Sequence, residues 1–242
     1  MSYIFREHIK QSLAVIAFLI TLTACTSESY DAGDGPNSYL TADLVLLHTS
    51  QDKSVRSALL DDGTTLQFSN PFAQDWLTRP DSVYRALLYY DKTVAASDAA
   101  ASNPTATSIV RARSVSPVSV LRPVEAEDME TLRTDPVGFE SIWLSKNKSY
   151  INLSLLLKSG KTEADDALHA LGIVSHGTTT DADRRRTLHL TLYHDQGGVP
   201  AYYTVQQYVS IPTQLLEEAD TVELTLNTYN GKKVVKVAVS NL

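Results

Sequence analysis

Cysteine is almost absent: the 242 residues contain one, Cys25. That excludes an internal disulfide framework and any zinc site built from several thiolates. Basic charge is in deficit, with 21 Lys and Arg against 28 Asp and Glu and a formal charge of −7, which argues against a general nucleic-acid binder. Apolar runs are short. None approaches the roughly twenty residues of a spanning helix. Enzymatic signatures are missing as well: the chain has no G-x-S-x-G elbow, H-E-x-x-H helix, P-loop or dinucleotide fingerprint. What remains is 43% apolar residues, enough to bury a core in one large domain or two small ones.

The one cysteine stands in an informative place. Arg6 and Lys10 precede a ten-residue stretch, Leu13–Leu22, that is apolar but for Thr21. This length fits a signal-peptide core. It runs into Leu22-Thr23-Ala24-Cys25, which resembles the bacterial lipobox. That resemblance implies cleavage before Cys25 and acylation of its thiol and new amino group. Several acyl chains hold a protein stably where one binds reversibly. Residues 1–24 are thus expected as a lipoprotein signal peptide, with Cys25 as the lipid attachment site.

Removing Arg6, Lys10 and Glu7 leaves 19 bases against 27 acids. The excess is concentrated. Residues 25–38, with Glu28, Asp31, Asp34 and no base, carry a net −3 and suit an extended, solvated acidic tether. Residues 118–135 also carry −3, from Glu125, Glu127, Asp128, Glu130 and Asp135 against Arg122 and Arg133, and read as an acidic connector. The parts 39–117 and 136–242 are nearly neutral, so neither offers a broad charged face.

Both of those parts alternate with period two. In 39–117, strands are expected at Leu40–Leu47, Ser54–Leu60, Thr64–Phe68, Ser82–Tyr90 and Ser108–Val115, with Asp61-Asp62-Gly63 turning a hairpin. Five strands in this length suit a small barrel of OB-like topology. Trp76, between Pro71 and Pro80, is expected to plug one end. Residues 91–107 are small and polar and read as a long loop. In 136–242, strands are expected at Val137–Ser145, Ser149–Lys158, Leu168–His176, Thr187–His194, Ala201–Ile211 and in a hairpin turned by Asn230-Gly231, with one helical turn within Pro212–Ala219. The fold class is all-β: a five-stranded OB-like barrel followed by an antiparallel seven-stranded β-sandwich.

The order of parts carries a resemblance. A lipobox, a small barrel, an acidic connector, then Asp135-Pro136-Val137 leading into Ser141-Ile142-Trp143 and Tyr150-Ile151-Asn152-Leu153 resembles the NigD-like lipoproteins of Bacteroidota. The resemblance extends through Leu188–Tyr193. It implies an OB-like domain followed by a β-sandwich at the cell envelope, on the periplasmic face or the surface of the outer membrane. The family's association with a bacteriocin operon assigns no mechanism and no catalytic residue.

Groups able to do chemistry are scattered. His189 and His194 are five apart on one strand and face opposite ways, so they cannot share a metal from it. His194 is expected as a structural histidine, and His48, His169 and His176 have no acid at ligand spacing. The densest charge cluster is Asp181, Asp183, Arg184, Arg185 and Arg186, which reads as calcium ligands, an anion site or a solvated hairpin tip. Adjacent tyrosines, Tyr89-Tyr90 and Tyr202-Tyr203, put one ring of each pair outward and could form a stacking platform for a sugar or an anchor for a protein. Asp81-Ser82-Val83 and Asp220-Thr221-Val222 resemble an O-glycosylation signal, but chance alone gives about one or two such triplets.

The resulting expectation is a non-enzymatic envelope lipoprotein without a cofactor or metal. It would be joined to the membrane by its anchor, present two β-domains to a protein or glycan partner, and bind no nucleic acid. It could serve as an accessory subunit of an outer-membrane complex. Two alternatives stand beside it: a hydrolase of envelope or dietary polysaccharide, and a bacteriocin-immunity or stress-protection lipoprotein. Two carboxylates facing each other across an open cleft would favour the hydrolase.

Overall fold

Ten residues of alternating side chains, Leu40–Thr49, form β1, with Val45 and Leu47 wholly buried and Leu44 nearly so on the opposite face. The computed structural model describes residues 40–92, 108–161, 168–216 and 219–239. The expected signal peptide, Cys25 and the acidic tether at 25–38 lie outside the described residues, as does the expected loop at 91–107 but for Asp91 and Lys92, which continue a strand.

After β1 come β2 (Val55–Leu60), β3 (Thr65–Phe72), β4 (Val83–Lys92) and β5 (Ser108–Pro117). They close into a barrel in the order β1-β2-β3-β5-β4, with β4 returning to β1 and β3 parallel to β5. This is the expected OB-like barrel. Gly63, at φ +89°, makes the β2–β3 turn where a side chain would be strained. Val45, Leu47, Ala58, Leu66, Ala86, Leu88 and Val110 fill the interior. Trp76 is only half-buried and meets Tyr84 edge-on at 5.8 Å. The deeper plug is its neighbour Leu77, 2% exposed.

The second body has two sheets. One orders β14-β13-β11-β10-β7, the other β6-β12-β9-β8. Their ranges are β6 Ser119–Val120, β7 Pro123–Glu125, β8 Gly138–Leu144, β9 Tyr150–Ser159, β10 Ala170–Thr180, β11 Arg186–Asp195, β12 Tyr203–Pro212, β13 Thr221–Thr228 and β14 Gly231–Ala238. The seven expected strands are all present. The expected helical turn is a short 3-10 segment, Thr213–Leu215.

Residues 118–135 depart from a plain connector. They supply β6 and β7 as parallel edge strands on β12 and β10, followed by a 3-10 turn at Ala126–Asp128. Among the described residues the sandwich therefore has nine strands. Three of its pairings are parallel, because β11 also runs parallel to β13. Strands of two or three residues are too short to alternate visibly, and strand direction leaves no mark on hydropathy.

Ile151, Leu153 and Leu155 point from β9 into the sandwich core, facing Leu188, Leu190, Leu192, Val222, Leu224 and Leu226 of the other sheet. The opposite face of β9 reads as solvent-facing in the sequence, yet Asn152 is fully buried and Ser154 is 2% exposed. Asn152 is covered by the barrel. Barrel and sandwich belong to one compact unit, Leu40–Leu242.

Candidate functional site

Strand β4 alternates between the barrel interior and the sandwich. Ala86 and Leu88 point inward, while Arg85, Leu87 and Tyr89 point out toward β8, β9 and β12. Arg85 is 4% exposed. Its terminal nitrogens donate to both carboxylate oxygens of Asp61 at 2.6 Å. Nε donates to Ser210 Oγ at 3.1 Å and Nη2 to Asn152 Oδ1 at 3.1 Å. Asn152 Nδ2 donates to Asp61 at 3.0 Å, and Ser210 Oγ donates to Asn152 at 2.7 Å. The guanidinium also lies over the Tyr150 ring, 4.3 Å from its centroid. A buried cation needs this degree of partnering. Two barrel residues and three sandwich residues thus share one network, and Asn147 N–H donates to the Asp61 carbonyl at 2.7 Å beside it. The lock fixes how the two bodies face each other.

Beside the lock lies a cleft of about 350 Å³. Its barrel wall is Ala42, Asp43, Leu44, Leu60, Asp61, Asp62, Leu87 and Tyr89, and its sandwich wall is Trp143, Leu144, Ser145, Lys146 and Tyr208. The register explains the barrel side, since Leu44 pairs with Leu87 and Ala42 with Tyr89 on one outward face. On the sandwich, Trp143 is 37% exposed and meets the Tyr208 ring edge-on at 6.4 Å. All three acidic residues of the lining belong to the barrel, and Asp43 shares the inward parity of Val45. Asp61 is spent on Arg85, and Asp43 accepts from the buried Tyr90 hydroxyl at 2.8 Å. Burial, then the Asp43 carboxylate, pushes the Tyr90 phenol above its ordinary range. Asp62 accepts from Thr64 N–H at 2.9 Å, which holds its carboxyl below the usual value. Lys146 Nζ stands 3.8 Å from it.

The residues singled out in the sequence fall in different places. Tyr89 lines the cleft while Tyr90 is buried, as alternation requires; Tyr202 and Tyr203 are both exposed at the start of β12. Of the 181–186 cluster, Asp181 to Arg185 make the β10–β11 turn and Arg186 opens β11. Asp181 Oδ1 accepts N–H bonds from Asp183 and Arg185 at 2.9 Å, and Arg184 adopts φ +64°. Among the described residues, no group of three or more His, Cys, Asp or Glu could hold a metal ion.

His194 is wholly buried, with Nδ1 3.0 Å from the Asp135 carbonyl and Nε2 3.0 Å from His169 Nδ1. A carbonyl only accepts, so His194 donates from Nδ1 and accepts at Nε2 from His169. Burial, reinforced by His194, lowers the His169 pKa. His189 faces outward. It sits 3.2 Å from Glu223 and 2.8 Å from the Thr179 hydroxyl, a carboxylate–imidazole–hydroxyl line. Lys236 occupies the other oxygen of Glu223 at 2.9 Å, and Thr179 is exposed on the sheet. Relays of this type work in water-excluding sites with converging oxyanion donors. An open sheet face is a poor setting for one.

Sequence reasoning missed Arg85, Asp43, Asp62, Lys146 and Tyr208. Trp143 and Tyr208 have no proximity in sequence, and the pairing of β8, β9 and β12 brings them together.

Residues 120–239 match the model of the NigD-like C-terminal beta sandwich domain. No curated protein matches the chain. Several solved structures share the fold. A NigD-like immunity protein from Bacteroides caccae is 23% identical, with TM-score 0.59, covering 81% of this chain and 91% of that one. A protein of unknown function from Bacteroides vulgatus is 16% identical, with TM-score 0.57 and coverage of 83% and 92%. A candidate lipoprotein from Bacteroides fragilis is 13% identical, with TM-score 0.58 and coverage of 84% and 98%.

Proposed function

The chain belongs to the NigD-like family, and from that premise we propose that it is a non-enzymatic, lipid-anchored envelope protein whose barrel–sandwich cleft binds a protein or glycan partner. Cys25 is the anchor, 25–38 the spacer, and the outer membrane the address. The lipobox pattern supports this, as does the fold shared with a candidate lipoprotein from Bacteroides fragilis. The protein would act alone or as an accessory subunit of an outer-membrane complex.

One observation carries the binding role. A cleft between two bodies is walled by the exposed Trp143 and the half-buried Tyr208 on one side and by acidic residues on the other, and the buried Arg85 network beside it fixes the spacing. Clefts between domains with aromatic linings and few polar groups are the usual form of binding sites. Hydrolysis of a glycoside asks for carboxylates flanking the bond. Here the acids share one wall, which favours binding over cleavage. An immunity role, the word attached to the Bacteroides caccae protein, is the same reading with a toxin as the partner.

Calorimetric titration of the full chain in detergent against short peptides and oligosaccharides tests this. Saturable binding should disappear in the Trp143→Ala, Tyr208→Ala double variant and persist in Tyr229→Ala, which alters an exposed tyrosine that does not line the cleft. Binding untouched by the double variant would refute the cleft as the site.

A further inference from the structure

Arg85 shows how this interface accommodates a cation. Its guanidinium is held between a carboxylate, Asp61, and the face of an aromatic ring, Tyr150. The carboxylate compensates the charge, and the ring face adds a cation–π attraction while excluding water.

The same ingredients recur next to it, open to solvent. Asp62 follows Asp61 at the β2–β3 turn and lines the cleft. The facing wall offers Trp143 and Tyr208. Lys146 is the cation of this chain that lines the cleft, but its side chain is 82% exposed and its nitrogen is 3.8 Å from Asp62, a loose contact. The cleft is therefore a carboxylate-plus-aromatic receptor whose own lysine only brushes the acid.

Resting on the reading of this cleft as the ligand site, we infer that it takes a lysine or arginine side chain from a basic segment of a protein partner. The incoming cation sits between Asp62 on one wall and Trp143 and Tyr208 on the other. It repeats the Arg85 arrangement and displaces Lys146 from Asp62. A neutral sugar could stack on Trp143, but it would leave the Asp62 carboxylate with no cation beyond the loose Lys146 contact. Lys146 separates the two ligands by sign: it competes with a cation and donates a hydrogen bond to a sugar.

The full chain in detergent is titrated with a capped lysine–arginine hexapeptide and with a neutral glucose hexasaccharide. The peptide should bind, more weakly as salt rises from about 0.05 to 0.5 M. Trp143→Ala should weaken it about tenfold. Asp62→Asn should weaken it about threefold, and Lys146→Ala should tighten it about twofold. All three side chains are at the surface, and circular dichroism verifies that the variants fold. Peptide binding that is absent, indifferent to Asp62→Asn or weakened by Lys146→Ala overturns the inference. Hexasaccharide binding that depends on Trp143 and weakens in Lys146→Ala overturns it too, while upholding the cleft as the site. If neither probe binds, the inference falls; the cleft reading is then judged by the wider titration above.

Discussion

Arg85 of the barrel and Asn152 of the sandwich meet at 3.1 Å in a network where Arg85 is 4% exposed and Asn152 is fully buried. The two residues are 67 positions apart and belong to different bodies. Their contact sets the face against which the cleft opens.

Breaking this network should cost the molecule heavily. Arg85→Ala would leave the Asp61 carboxylate and the Asn152 amide short of partners at the interface, a loss of about 3–5 kcal/mol for an uncompensated buried pair. Arg85→Lys should recover little of it, since an ammonium cannot make the two parallel bonds to Asp61 together with those to Ser210 and Asn152. Urea unfolding of the wild type and both variants checks the order.

How far the sequence revealed all this depends on the scale of the signal. Leu188, Leu190 and Leu192 alternate over enough residues to mark β11, and Gly63 and Gly231, both at positive φ, mark their hairpins. Arg85 was illegible. Within Ser82–Tyr90 an arginine at an outward position reads as solvated, and only the covering sandwich buries it. Asn152 and Ser210 share that history. Trp143 and Lys146 sit on or just after β8, but the wall they form exists only once β1 and β4 face them. The strands at 119–120 and 123–125 are too short for any periodicity, so the segment looked like a charged connector.

Acid should loosen the sandwich through His169. Its folded pKa is depressed below the ordinary 6.5 by burial and by His194. The native state therefore takes up its proton less readily than the unfolded chain does. The stability from neutral His169 is complete above 6.5, falls as pH drops below that value, and levels off beneath the depressed folded value. Protonation would also place a hydrogen on His169 Nε2, a buried atom with no hydrogen-bond partner within 3.5 Å among the described residues, and the Lys158 backbone offsets the depression only in part. His169→Gln should narrow the difference in urea midpoint between about pH 7.5 and 5.5. An unchanged difference would remove His169 from the account.

Two neighbouring glycines should respond differently to alanine. A Cβ on Gly197 would lie 2.1 Å from the Leu168 carbonyl oxygen at φ +59°, whereas one on Gly198 would meet nothing within 4 Å at φ +76°. Gly198→Ala should cost about 1 kcal/mol of backbone strain, and Gly197→Ala clearly more. Thermal unfolding of the pair measures the gap.

Anchoring is tested at Cys25. In cells, Cys25→Ala should shift the protein from the membrane fraction to the soluble fraction or leave its precursor uncleaved, and it should abolish labelling by a palmitate analogue. Labelling that survives the substitution would contradict the anchor.

The location of the binding site is read most directly from Trp143 emission. The chain has two tryptophans, so Trp76→Phe leaves Trp143 as the sole indole reporter. Because this ring is partly exposed on the cleft wall, a bound ligand should shift its emission to the blue, saturating at the same concentration as the calorimetric heat. Heat that saturates while the Trp143 emission stays unchanged would mean that the ligand binds elsewhere.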